Sequence, residues 1–103
     1  MSNVSLSEVA KEILFQTIVD ASLLKNKCFR LNDSDGFFEL VMDDPQKDDF
    51  ILKSGSVPIL LVNKELDKCL RPLIIDIQRD RGKLKLIVCE VKRNANGGER
   101  GNL

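Results

Sequence analysis

Residues 40–78 read LVMDDPQKDDFILKSGSVPILLVNKELDKCLRPLIIDIQ, and in them short apolar runs are cut at regular intervals by turn chemistry. Runs of four to eight apolar or β-branched residues bounded by Gly, Pro, Asp and Ser are strand-sized, so this stretch constrains the chain to a fold built largely of hairpins. Residues 50–53 and 57–62 flank Ser54-Gly55-Ser56 and are expected to pair across it. Pro45 cannot donate to a ladder, so Asp43-Asp44-Pro45 ends the strand before it. Asn63 is placed to cap a short helix over 64–70, which stops before Pro72. Strands over 73–78 and 83–91 surround the turn Arg79-Asp80-Arg81-Gly82.

Before this stretch the period is helical. Leu6, Val9, Ile13, Thr17, Ile18, Ala21 and Leu24 recur at helical spacing and predict one core-facing stripe on a helix over 6–24. Ser5 and Glu8 have the spacing of a capping box, and Lys25 and Lys27 suit the C-terminal end of the dipole. Residues 27–31 then alternate Phe29 and Leu31 against Cys28 and Arg30, which reads as a strand. Asn32-Asp33-Ser34-Asp35-Gly36 is a concentrated turn signal, and 37–42 reads as the next strand. The expected architecture is α+β: an N-terminal helix, a compact and mainly antiparallel β-sandwich of about six strands, and a short second helix. Residues 1–92 form one domain, and 93–103, RNANGGERGNL, read as a flexible C-terminal tail with almost nothing to bury.

Sixteen basic and sixteen acidic residues cancel, so the broad positive field that draws proteins to nucleic acid or anionic lipid is missing. The longest uncharged apolar run, 57–62, is far below the ~20 residues of a membrane helix. The first residues show no basic region before an apolar block, so a cytoplasmic location is the default. Histidine is absent, which removes Ser-His-Asp and Cys-His nucleophiles and every imidazole metal site. Cys28, Cys69 and Cys89 are too few and too widely spaced for a disulfide framework and read as free thiols.

The elements, once placed, carry a likeness. Its residues are Phe38-Glu39-Leu40-Val41-Met42-Asp43-Asp44-Pro45, Asp48-Asp49-Phe50, Gly55-Ser56-Val57-Pro58-Ile59-Leu60-Leu61-Val62-Asn63, Lys64-Glu65-Leu66 and Pro72-Leu73-Ile74-Ile75-Asp76. That order resembles the HesB-like family of A-type iron–sulfur cluster assembly proteins over most of residues 5–90, and most of all the subgroup whose first strand ends in a Leu-Asp-Glu-Pro-like turn. The resemblance implies a first cysteine in a glycine-rich turn, which aligns with 32–36 near Asp33 and Ser34, and a Cys-x-Cys pair after the last strand. This chain has no cysteine at either place.

Among the candidate sites, thiolate ligation favours close pairs with sulfur ~2.3 Å from the metal. Cys28, Cys69 and Cys89 are separated by tens of residues, and small buried hydrophobes are the commoner fate of free cysteine. Cys28 and Cys89, both on expected strands, remain the metal candidates. The acidic turn at 32–36 lacks the register of a calcium loop, with Met42 where a glutamate belongs. Asp43, Asp44, Asp48 and Asp49 read as solvated carboxylates that need no metal, and Arg79, Arg81 and Lys83 as a solvated hairpin tip. Phe37 and Phe38 are adjacent on a strand and point to opposite faces, so one ring is a candidate interface.

The leading expectation is a non-enzymatic HesB-like domain, an accessory or binding protein of iron–sulfur assembly with the usual cysteine ligation lost and no cofactor. Its expected partners are other iron–sulfur assembly proteins and a second copy, with no nucleic acid and no membrane. One alternative is an iron or iron–sulfur carrier using Cys28 and Cys89 across a homodimer. Another is a structural protein-interaction module.

Overall fold

The computed structural model describes residues 2–20 and 27–91. The expected tail at 93–103, the last turn of the expected helix with Ala21 and Leu24, and the lysine at 25 lie outside the described residues. The elements in chain order are β1 (Val4–Leu6), α1 (Glu8–Asp20), β2 (Cys28–Ser34), β3 (Phe37–Asp43), β4 (Asp49–Ser54), β5 (Val57–Asn63), α2 (Lys64–Lys68), β6 (Leu73–Asp80) and β7 (Lys83–Glu90). They form two mixed sheets, one in the order β1-β6-β7 and the other in the order β3-β2-β5-β4. The fold is the α+β sandwich expected. The three hairpins β2–β3, β4–β5 and β6–β7 are antiparallel, while β1–β6 and β2–β5 are parallel.

The start of the chain departs from the expectation. Val4 to Leu6 form a seventh strand parallel to β6, with Val4 and Leu6 buried and Ser5 turned outward. Two residues before it form a latch: the Ser2 hydroxyl and the Asn3 N–H donate to the buried Asp67 carboxylate, and the Asn3 side chain donates to the carbonyls of Asp67 and Leu70. The helix is capped by Ser7, not Ser5. The Ser7 Oγ accepts from the Ala10 N–H at 3.0 Å and donates to Asp76 Oδ1 at 2.6 Å, tying the helix start to β6. The buried face also differs from the expected stripe. Ala10 and Leu14 enter the core with Ile13, Phe15 and Ile18 at its edge, while Val9, expected inside, is 57% exposed.

Elsewhere turn chemistry decides the boundaries. Asp35 and Gly36 have φ of 52° and 86°, and Arg81 and Gly82 have φ of 52° and 81°. Paired left-handed residues make the two-residue hairpin turn whose twist matches the strands. Both turns are therefore tighter than the sequence suggests, and the ladders run on through Ser34 and Asp80. The helix α2 is capped as expected, with Asn63 Oδ1 accepting from the N–H groups of Glu65 and Leu66, but it ends at Lys68.

The core lies between the sheets. Ile59, Leu60, Leu61 and Val62 are all fully buried because β5 sits inside its sheet with both faces covered, and Leu73, Ile75 and Ile77 supply the facing layer. Helix α1 packs on β5, β6, β1 and β4, closing one side of the sandwich. The opposite side, between the edge strands β3 and β7, is left without a helix among the described residues.

Candidate functional site

The turn between β2 and β3 occupies the place to which the resemblance assigns a first cysteine. It is built from Asp33, Ser34, Asp35 and Gly36, and Asp33 Oδ1 accepts from the Gly36 N–H at 3.2 Å. That carboxylate closes the turn on itself, as Asx residues do. Asn32 and Glu39, opposite each other beside the turn, are joined by a 3.1 Å hydrogen bond.

The structure does not bring the candidate thiols together in one chain. Cys28 begins β2 in the four-stranded sheet and is buried, whereas Cys89 is exposed near the end of β7 in the other sheet. Cys69 is exposed at the C-cap of α2. Phe38 pairs with Asp33 on β2 and lines the same cavity as Val88 and Glu90, so the Cys89 end of β7 lies level with the far end of β2 from Cys28. Five residues of strand, about 17 Å, separate Cys28 from Asp33. Burial pushes the Cys28 thiol up to about 11, with Asp49 and Asp43 adding to that and Arg30 opposing it. A thiol held protonated is a poor metal ligand. No group of three or more Cys, Asp or Glu among the described residues is arranged to hold a metal ion.

Asp49, expected as a solvated carboxylate, is instead buried, while Asp43 keeps a side chain that is 44% exposed and is paired as well. Arg30, on the face of β2 opposite Phe29 and Leu31, donates from both terminal nitrogens to the Asp49 carboxylate at 2.7 Å each. Its Nε donates to Asp43 at 2.7 Å, and a fourth bond runs from Nη2 to the Asp44 carbonyl at 3.2 Å. The Asp49 side chain has no exposed area. The Arg30 bonds hold the Asp49 carboxyl below the usual range against its burial, while for Asp43 the Asp44 N–H acts first and Arg30 second. The signal available in the sequence was a lone arginine between two apolar strand residues, since such a side chain needs a carboxylate when its face is covered.

The two candidate interface rings part as the strand pleat requires. Phe37 is 78% exposed, and Phe38 is half-buried against the core. Between β3 and β7 lie two cavities that share Phe38. One, of about 390 Å³, is lined by Phe29, Phe38, Glu39, Leu40, Leu84 and Leu86. The other, of about 290 Å³, continues it past Val88 and Glu90 towards Cys69 and Arg71.

The fold is shared with solved structures. SufA of Escherichia coli, involved in biosynthesis of iron–sulfur clusters, superposes with a TM-score of 0.64 at 18% identity over 84% of each chain. The chain has the HesB-like fold. A structure of IscA with the [2Fe-2S] cluster matches that fold as well, with a TM-score of 0.57 at 15% identity and 84% of each chain covered. No protein-family model matches the chain, and no curated protein matches its sequence. No helix among the described residues is long and apolar enough to cross a membrane.

Proposed function

We propose that this chain is a non-enzymatic HesB-like domain that serves iron–sulfur cluster assembly as an accessory or binding protein, without the family's cysteine ligation. The observation that carries the reading is the β2–β3 turn. Where the resemblance places a ligand, Asp33 closes the turn by accepting from Gly36, and no thiol is present. The nearest thiol in sequence, Cys28, is buried and held protonated. The link to assembly is supported by the fold shared with SufA and IscA. A non-enzymatic role is supported by the chemistry: with no histidine, the perturbed carboxyls Asp43 and Asp49 are both committed to Arg30.

The test is direct association. The purified chain, titrated into labelled SufA or IscA in apo and cluster-loaded form, is expected to bind one of them or to alter the rate at which cluster leaves it. Neither binding nor any change in that rate would overturn the assembly role and leave a fold kept for another interaction.

A further inference from the structure

We infer that the outer face of α1 and the tip of the β6–β7 hairpin form a docking surface for an acidic segment of a partner protein, with one apolar side chain of that segment seated on Val9 and Ile13. The inference does not depend on the proposed function. Val9, Glu12, Ile13 and Gln16 are neighbours on one stripe of α1, and with Arg79 they line a cavity of about 330 Å³. The core takes Ala10 and Leu14 from the other side of the helix, so this stripe faces outward, with Ile13 half-buried and Val9 exposed. An apolar floor beside an arginine matches the make-up of protein interfaces, in which arginine is enriched.

The hairpin sets the sign of the partner. Residues 79–85 read RDRGKLK, four basic residues against the single acid Asp80, in a chain that carries no net charge. Arg79, Arg81, Lys83 and Lys85 are all exposed, and none has an ion pair among the described residues. The pleat puts Arg79 on the same face as Ile75 and Ile77, towards α1, and Arg81 lies at the tip. Lys85, opposite Gln78, and Lys83, opposite Asp80, turn to the other face. Arg79 and Arg81 are therefore the contacts, while Lys83 and Lys85 extend the positive field that draws an acidic segment in. Glu12 is the one acid on the cavity wall, and it leaves the Arg79 guanidinium to a carboxylate from outside.

Arg81 stands at the tip against backbone preference. Its φ of 52° lies in the left-handed region, which favours Gly, Asn and Asp over other residues. The β2–β3 hairpin makes the same kind of turn with Asp35-Gly36, the preferred chemistry. One chain thus holds both the turn the backbone favours and a departure from it. A residue held in a disfavoured conformation points to a function for its side chain. Nucleic acid phosphates would also answer to four cations. None of the residues lining the cavity or forming the hairpin is aromatic, however, so bases would find nothing to stack on. Carboxylates on a protein segment suit both the cations and the apolar floor.

Fluorescence anisotropy with the full chain tests the surface. The probes are the labelled peptide Asp-Glu-Asp-Leu-Glu-Asp-Glu, its form with serine for leucine, its Asn/Gln form, and an oligothymidylate of equal charge. Saturable binding of the acidic peptide is expected, weakened about tenfold by Arg79→Gln and several-fold by Val9→Ser or by loss of the leucine. The Asn/Gln form is expected not to bind. Lys68→Gln removes an exposed cation from α2, beside the start of β6 and away from the hairpin, and is expected to leave binding unchanged. Arg81→Asn separates docking from a structural role: it is expected to raise the urea midpoint, by supplying the preferred turn residue, while weakening binding several-fold. No saturable binding overturns the inference. So does equal binding of the Asn/Gln or serine form, indifference to Arg79→Gln, or an equal loss in Lys68→Gln. Tighter binding of the oligothymidylate through the same arginines assigns the surface to nucleic acid and overturns it as well.

Discussion

Arg30 on β2 grips Asp49 on β4 across the whole width of β5, through two parallel hydrogen bonds of 2.7 Å. With its second carboxylate partner, Asp43, it joins the ends of three strands and folds the 44–48 loop over the sheet, where the Gln46 N–H also donates to Asp49. Removing one partner of such a pair strands a buried charge. Asp49→Ala is expected to cost on the order of 3–5 kcal/mol in urea unfolding. Lys68→Ala, which breaks a pair with Glu65 whose two side chains are each 76% exposed, is expected to change stability by less than about 0.5 kcal/mol.

The same carboxyls make stability fall in acid. Asp43 and Asp49 titrate lower in the folded chain than in the unfolded one, so below about pH 4 the unfolded state takes up protons first. Their stabilisation is present at neutral pH and is lost as pH drops towards the depressed values. Urea midpoints measured between pH 7 and pH 3 are expected to fall, and the Asp49→Asn variant to fall less steeply over that interval.

Thiol reactivity should separate the three cysteines. Cys69 and Cys89 are exposed and Cys28 is buried with its thiol pushed up to about 11. In a native titration with an aromatic disulfide reagent at pH 8, two thiols are expected to react promptly and the third only on unfolding. The slow phase should vanish in Cys28→Ala. Because the folded state holds that proton, Cys28 also makes stability decline as pH rises from about 9 towards 11.

The helix cap distinguishes two serines. Ser7→Ala removes the bond to the Ala10 N–H and the bond to Asp76, and is expected to cost about 1–2 kcal/mol. Ser5→Ala, at an exposed position of β1, is expected to change stability by less than about 0.5 kcal/mol. Equal effects would mean that the helix starts where the sequence suggests.

The hairpins were legible because their signals are local. Ser54-Gly55-Ser56, Arg81-Gly82 and the Asn63 cap each specify their own geometry within a few residues. The strand Val4–Leu6 was not, since three residues with one alternation fit a helical stripe equally well, and only pairing with Leu73 to Ile75 decides between them. Val9 was misplaced because the buried stripe runs through Ala10 and Leu14, which leaves Val9 outward in the first turn. The Arg30 cluster is not written in one local segment: its carboxylates lie 13 and 19 residues away, Asp43 meeting it across the β2–β3 hairpin and Asp49 only when β2 and β5 pair in parallel. One wall of the apolar groove was visible in Phe38, but its other wall needed the second sheet to be placed.

Anaerobic incubation of the reduced chain with ferrous iron and sulfide, followed by desalting, tests most directly the claim that this HesB-like fold works without its own cluster. The account predicts no visible-range absorption and no iron or sulfide retained with the protein. Stoichiometric iron and sulfide with visible absorption bands, lost on replacing Cys28 or Cys89 by alanine, would contradict it and establish a carrier.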